Sequence, residues 1–488
     1  MTEQLDRART GVTAAPRRLL TGPWAAIVPA ALTLLIAGFQ LGRAPLWRDE
    51  LATWSAATRP LPDLWRMLGG IDAVTGPYYL FLHGWTALFG DSVVALRLPS
   101  LLAMAGAAAL TTTLGTRLFG AKTGLVAGLL FAVVPSTSRY GQEARAYAFA
   151  ALFAVLATLL LVRAVDRPTA WRFTAYGAAL LGLGLANIMA LLLVAGHAAA
   201  LVGGARRAVL GFAAAVGAVG LLLVPLVWRG RSQQGVQLGW VGTPGPGNLV
   251  ELPGSVLQAP AVGGALLVLA ALAWALTVGR WPTTLALSVA LPAVLLFAAA
   301  QLAPFWVPRY LLFTVSLLCV LVAAAVSRVR LGYALVLVLV IAALGGPAQA
   351  ALRRTHEWPR TAPVDYPAAV AVIAANAQPG DGIVYEPRGG WRMLDVAVAR
   401  GLGGGAPHDV LLRQSAVDRG ELRATECGDS AACLTAAGAP RLWLLTNGDR
   451  AEPLSTVPGE KGAALRAAYT TRQVWHEPGL TVALLIRR

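Results

Sequence analysis

Two adjacent carboxylates, Asp49 and Glu50, stand in the stretch LWRDELATW, directly after the first long apolar segment of the chain. Such an acid pair can be solvated loop charge, or it can stabilise the first turn of a following helix through the helix dipole. It can also supply a general base that removes a proton from a hydroxyl group. The flanking Trp47 and a second acid in the same loop, Asp72, are not needed by the first two interpretations. All three stay open on these residues alone.

A second polar stretch, SRYGQEARAY at 138–147, interrupts two apolar segments. Charged groups at membrane depth are costly and usually line a cavity. If the stretch is helical, Glu143 and Tyr147 are neighbours four positions apart. An internal ion pair of Glu143 with Arg139 or Arg145 is the simpler alternative. The residues of this stretch that could take part in binding are Tyr140, Gln142, Glu143, Arg145 and Tyr147.

A cation and an aromatic residue, Arg309 and Tyr310, open a later apolar segment in FWVPRY. An arginine guanidinium matches a phosphate group through two parallel hydrogen bonds. The alternative is that the side chain extends to the membrane surface only to keep its charge in water.

The elements that carry these residues are predicted to be membrane helices. The chain has 488 residues, of which 57% are hydrophobic and 13% are charged, against about 25% charged residues in a typical soluble domain. Apolar runs long enough to cross a bilayer recur, so we expect a polytopic α-helical membrane protein with about eleven to thirteen spans. The eleven principal runs are near 24–42, 93–116, 122–137, 146–163, 172–187, 188–204, 208–228, 258–279, 282–303, 310–327 and 331–348.

The net charge of +16 is spread as arginines through short loops. Positive loops orient membrane helices and contact anionic lipid headgroups, which explains most of this charge. The chain has no run of basic residues with interleaved aromatics, so nucleic-acid binding is excluded. The basic connectors predict a multi-pass protein of the plasma membrane, with the N-terminal tail 1–23 in the cytoplasm and a membrane domain over 24–349. The first extracytoplasmic loop is then 43–75, and the aromatic run 76–90 lies at the interface or re-enters without crossing.

The region 350–488 is predicted to be a small extracytoplasmic α/β domain. It holds fourteen of the 24 acidic residues. DYPAAVAVIAANA has helical periodicity, and GIVYE and RLWLLTN are typical of strands. Cys427 and Cys433 are close enough to form a disulfide in an oxidising compartment, or they stay free thiols.

With these motifs assembled, the chain resembles the GT-C superfamily of membrane glycosyltransferases that use polyprenyl-phosphate sugars. The resemblance is to the branch with protein O-mannosyltransferases and lipid A aminoarabinose transferases, in particular actinobacterial family 39-like membrane proteins. It covers roughly residues 20–330 and rests on an ordered set of segments: WRDELATWSAATRPLPDLW, DAVTGPYYLFLHGW, ALRLPSLLA, SRYGQEARAYA and VPRYLLF.

The resemblance implies an inverting transfer of a sugar, mannose first, from a polyprenyl-phosphate donor to a glycan, glycolipid or protein of the cell envelope. It implies that Asp49 is the general base with Glu50 beside it, and that Asp72 binds acceptor or metal. The implied substrate-binding set is Asp72, Tyr78, His83, Arg97, Tyr140, Gln142, Glu143, Arg145, Tyr147, Arg309 and Tyr310. A divalent cation is the one cofactor to consider. No metal ligand is assigned, because Thr75, Gly76 and Pro77 depart from the family's pattern.

Two other classes of function stay open on the sequence. A transporter or flippase of lipid-linked sugars would favour charges near the middle of the spans and two related halves, and neither is visible. A scaffold or receptor whose tail binds a partner would leave the loop motifs unexplained.

Overall fold

The structure is a computed structural model, and it describes residues 24–326, 328–357 and 360–488. The predicted cytoplasmic tail 1–23 lies outside these residues. The chain divides into two compact units. The helical unit comprises the chain up to Leu41 together with Ala73–Tyr78 and Arg97–Leu352, and the mixed unit comprises Gly42–Asp72, Tyr79–Leu96 and Arg353–Arg488.

Helices dominate the described chain before Arg353. In chain order they are α1 (Trp24–Gly38), α2 (Arg48–Ala57), α3 (Leu61–Gly70), α4 (Gly76–Phe89), α5 (Val93–Phe119), α6 (Ala121–Val133), α7 (Pro135–Gly141), α8 (Tyr147–Asp166), α9 (Ala170–Ala186), α10 (Leu193–Ala198), α11 (Arg206–Leu238), α12 (Pro246–Leu257), α13 (Pro260–Leu276), α14 (Arg280–Ala300), α15 (Val315–Val326) and α16 (Leu331–Leu352). Short 3-10 turns at Ile188–Leu192, Ala199–Leu201 and Pro308–Thr314 extend α10 and α15.

Each of the eleven predicted spans corresponds to helical structure. Among the described residues, six helices are long and apolar enough to cross a membrane, and eight are if each of two bent pairs counts as one span. The pairs are α6 with α7, bent by 62°, and α12 with α13, bent by 101°. The second helix of each pair begins with a proline, Pro135 or Pro260, which lacks the N–H that would continue the preceding helix. The predicted topology stays a prediction.

Small residues let the helices of the helical unit approach closely. A Cβ atom on Gly124 of α6 would lie 2.4 Å from the carbonyl oxygen of Thr112 in α5. A Cβ on Gly196 of α10 would lie 2.3 Å from the backbone of Ser288 in α14. Without a hydrophobic driving force between helices in lipid, such close backbone packing is a main source of stability. The Ala- and Gly-rich composition is therefore part of how this unit holds its shape.

The mixed unit contains a five-stranded sheet in the order β2-β1-β5-β7-β6. Strands β2, β1 and β5 are parallel, and β7 runs antiparallel to β5 and β6. The strands are β1 (Gly382–Glu386), β2 (His408–Asp409), β3 (Leu412–Gln414), β4 (Thr425–Glu426), β5 (Arg441–Asn447), β6 (Tyr469–Glu477) and β7 (Leu480–Arg487), of which β3 and β4 form a separate antiparallel pair. The helices after Arg353 are α17 (Tyr366–Asn376), α18 (Leu394–Leu402), α19 (Ser430–Ala437) and α20 (Gly459–Ala468).

The local sequence explains these elements. GIVYE and RLWLLTN form β1 and β5, and DYPAAVAVIAANA supplies α17, as predicted. The central strand β5 is buried over five consecutive residues, because helices cover both faces of a parallel sheet. The turn between β6 and β7 has Pro478 followed by Gly479 at φ +72°, the pattern of a type II turn. Cys427 and Cys433 are paired in a disulfide.

Candidate functional site

The acid pair lies in the first turn of α2, in the mixed unit. Trp47 precedes the helix in an extended conformation, and its side chain makes no capping hydrogen bond. Asp49 is half-buried, whereas Glu50 is fully buried. The two acids of the motif therefore differ in exposure, and Asp49 is the more exposed of the two.

Residues that directly follow α16 contact this helix. Nδ1 of His356 lies 3.7 Å from a carboxylate oxygen of Glu50, and both side chains have no exposed surface. The backbone N–H of Arg48 donates to Oε1 of Glu357 at 3.4 Å. The sequence analysis did not single out His356 or Glu357, although a polar pair directly after the last apolar run is a visible signal.

The other predicted residues of this unit are held by neighbouring groups. Asp72 lies in the left-handed region at φ +58° and accepts a hydrogen bond of 2.6 Å from the Tyr79 hydroxyl. Nδ1 of His83 lies 2.9 Å from the carbonyl oxygen of Ala57, so this nitrogen carries the proton. Among the described residues, no group of three or more His, Cys, Asp or Glu side chains is arranged to hold a metal ion.

In the helical unit, the stretch 138–147 is not one helix. The chain leaves helical geometry at 142–146, between α7 and α8, so the predicted contact of Glu143 with Tyr147 across one helical turn is absent. Glu143 instead pairs with Arg139 at 3.2 Å, which is the simpler alternative that the sequence offered. The amide of Gln142 donates to the carbonyl oxygens of Ala37 and Phe39 at 2.8 and 3.0 Å.

The break allows three tyrosines and one cation to meet. Nε of Arg309 donates to the Tyr147 hydroxyl at 2.9 Å. The ring of Tyr147 lies 5.5 Å from that of Tyr140 and 6.4 Å from that of Tyr310. The Arg309 guanidinium also lies 6.0 Å from the ring of Trp240, a contact that the sequence analysis missed because Trp240 is far away along the chain. These side chains form a cationic and aromatic group that suits a phosphate and its apolar lipid chain.

The remaining predicted residues contact other parts of this unit. Arg97 is fully buried and donates to the carbonyl oxygen of Leu41 at 2.9 Å. The ring of Tyr78 packs edge-on against Phe149 at 6.0 Å. The carbonyl oxygen of Arg145 accepts from the Ser100 hydroxyl at 3.3 Å. The roles predicted for Arg97, Tyr78 and Arg145 in substrate binding stay predictions.

Known proteins share parts of this architecture. Residues 77–228 match the family described as dolichyl-phosphate-mannose-protein mannosyltransferase. The structure is similar to that of ArnT from Cupriavidus metallidurans bound to undecaprenyl phosphate, with a TM-score of 0.53, 12% identity, and coverage of 94% of this chain and 97% of that one. It is also similar to the same protein in the apo state, with a TM-score of 0.55, 13% identity and the same coverage. No curated protein sequence gives a significant match.

The shared fold extends over nearly the whole chain, whereas the family match covers only the region from α4 into α11 and does not include the acid pair. The chain therefore shares its fold with ArnT and part of its sequence with a family described as mannosyltransferases. Both similarities support the resemblance stated from the motifs and the prediction of an enzyme.

Proposed function

We propose that the chain is a GT-C glycosyltransferase that transfers a sugar, with mannose as the first candidate, from a polyprenyl phosphate to a hydroxyl group of a glycan, glycolipid or protein. The supporting observation is the group around Arg309 in a chain that shares the fold of a protein bound to undecaprenyl phosphate. The reaction takes place on the outer side of the plasma membrane, with the region after residue 350 on that side and the N-terminus in the cytoplasm.

The chemistry of the donor decides what the protein must supply. A lipid phosphate is a good leaving group, and its departure is assisted by a cation that stabilises the developing charge. Arg309 is suited to this role because Tyr147 and Trp240 hold its guanidinium plane in place. An acid that protonates the leaving oxygen, as in glycosidases, is then not required.

The acceptor needs a base because a hydroxyl group is a poor nucleophile. In the proposal, Asp49 takes the proton of the acceptor hydroxyl while its oxygen attacks the anomeric carbon. The bond to the lipid phosphate breaks on the opposite face, so the configuration at the anomeric carbon inverts. Asp49 is the half-buried member of the pair and can reach a substrate, whereas Glu50 is enclosed.

The test is the substitution Asp49→Asn in full-length protein, assayed for sugar transfer from a polyprenyl-phosphate mannose donor in membranes. We expect a loss of about a hundredfold to ten-thousandfold, since a general base contributes roughly 10² to 10⁴ in rate. The matched control is Asp63→Asn in α3 of the same loop, where the half-buried carboxylate pairs with the exposed Arg66 at 2.7 Å. Wild-type transfer by the Asp49 variant rules out the base assignment.

A further inference from the structure

The second acid of the pair has a buried partner of its own. The Glu50 carboxylate and the His356 imidazole have no exposed surface, and they lie 3.7 Å apart. Burying a carboxylate without polar neighbours costs several kcal/mol, and His356 is one polar neighbour that offsets this cost for Glu50. Glu50 therefore fixes the first turn of α2 to the segment that contains His356.

The start of α2 makes a second contact with the same segment, through Glu357. The first N–H groups of a helix have no partner within the helix, and Trp47 supplies no side-chain cap here. Oε1 of Glu357 accepts from the N–H of Arg48 at 3.4 Å. Glu357 is itself placed by the Tyr366 hydroxyl at 3.5 Å and by Arg392 at 3.7 Å.

Asp49 lies in the sequence between Arg48 and Glu50, the two residues that make these contacts. Its charge also acts on the Glu357 carboxylate. Burial raises the pKa of the Glu357 carboxyl group. The positive charges of Arg48 and Arg392 lower this pKa, and the negative charge of Asp49 raises it further. Glu357 is thus close enough to Asp49 for the two carboxylates to repel each other. Neither His356 nor Glu357 needs to touch a substrate to affect the position of Asp49.

We propose that His356 and Glu357 are positioning residues that hold Asp49 in its reactive place, His356 through Glu50 and Glu357 through the N-terminus of α2. This inference rests on the proposed function, because it assumes that Asp49 is the base. In this proposal the short segment after α16 positions the base, and Glu50 has a structural role in the acid pair.

The test compares His356→Ala, His356→Gln and Glu357→Ala in the full-length protein. We expect His356→Ala to lower kcat by on the order of tenfold to a hundredfold, because misplacing a reacting group by about 1 Å costs that much. The KM values for donor and acceptor should stay close to those of the wild type. His356→Gln keeps a polar side chain with an N–H group beside Glu50 and should recover most of the lost kcat. Glu357→Ala should lower kcat less, with the KM values again unchanged.

The matched control is His476→Ala, which removes an exposed histidine of the same unit that pairs with Asp449 at 2.6 Å. If His356→Ala fails to fold, the double variant Glu50→Gln with His356→Gln removes the buried charge and keeps the fold testable. Wild-type kcat in the double variant and in Glu357→Ala overturns the proposal, as does an equal loss in His356→Ala and His356→Gln.

Asp49→Asn is measured in the same series so that the two proposals fail separately. If Asp49→Asn is inactive and the variants at 356 and 357 have wild-type kcat, only the positioning role is wrong. If Asp49→Asn transfers sugar at the wild-type rate, the proposed base is wrong and the positioning role falls with it.

Discussion

Arg309 is the residue on which the donor half of the proposed reaction depends most directly. Its guanidinium is oriented by the Tyr147 hydroxyl at 2.9 Å. We expect Arg309→Ala to lower kcat/KM for the lipid donor by about a hundredfold, the usual effect of removing one donor to a developing negative charge. Arg309→Lys should recover only part of this loss, because an ammonium group cannot form two parallel hydrogen bonds to a phosphate. The measurement is the donor dependence of transfer in detergent.

A control for general effects of lost charge is Arg117→Ala, which removes an exposed pair with Asp166 at 2.7 Å. Such surface pairs contribute little to stability. Tyr147→Phe tests the orientation of the guanidinium separately, and it should lower kcat/KM several-fold, in line with the about 1 kcal/mol of one hydrogen bond. An unchanged donor dependence in Arg309→Ala would show that another group binds the phosphate.

Among the elements, the break between α7 and α8 depends on the amide of Gln142. Its two hydrogen bonds go to carbonyl oxygens at the end of α1, where a helix has acceptors without partners. Gln142→Ala leaves the buried carbonyl oxygen of Ala37 and the partly buried one of Phe39 without this donor. We expect a loss of stability of about 1–3 kcal/mol, measured as a lower midpoint of thermal unfolding in detergent.

The comparison variant for this prediction is Asn376→Ala, since the exposed amide of Asn376 only donates to Val372 within its own helix. That change should leave the midpoint of unfolding within about a degree of the wild type, as for most surface substitutions. If Gln142→Ala and Asn376→Ala behave alike, the break is held by other contacts.

The elements also show what the sequence can predict. Each of the eleven apolar runs corresponds to helical structure, and apolar runs also predicted β1 and β5, because these patterns depend on local periodicity. The helix α12 was not predicted, because it lies in a Gly- and Pro-rich segment. The polar stretch 138–147 predicted a connector between two helices, but not its course, since α7 continues to Gly141 and the amide of Gln142 bonds to carbonyl groups that are distant along the chain. The contact of Arg48 with Glu357 joins residues 309 positions apart, and no local pattern reports such a pair.

For the whole molecule, the mixed unit is built from three separate stretches of the chain. Arg59 in the first loop donates to the carbonyl oxygen of Glu421 at 2.7 Å, and Arg400 donates to that of Asp91 at 2.8 Å. The region after residue 350 thus shares its packing with the loop that carries the acid pair. A linear division into a membrane domain and a tail does not describe these contacts.

The final prediction is that the region after α16 is required for transfer. A chain that ends at Leu352 lacks His356 and Glu357, together with the partners of Arg59 and Asp91. We expect this truncated protein to lose sugar transfer, because α2 then loses the contact of Glu50 with His356 and the hydrogen bond from Arg48 to Glu357. The measurements are transfer activity in membranes and the amount of inserted protein.

A cut chain supplies the control for this truncation. A protease site placed in the exposed Gly403–Gly405 turn breaks the backbone but leaves every packed segment of the mixed unit present. The cut protein should keep most of its transfer activity, because the sheet and its helices hold the fragments together without a covalent link at an exposed turn. Transfer at the wild-type rate by the truncated chain would instead show that the region after α16 is accessory and that the first loop positions its acids unaided.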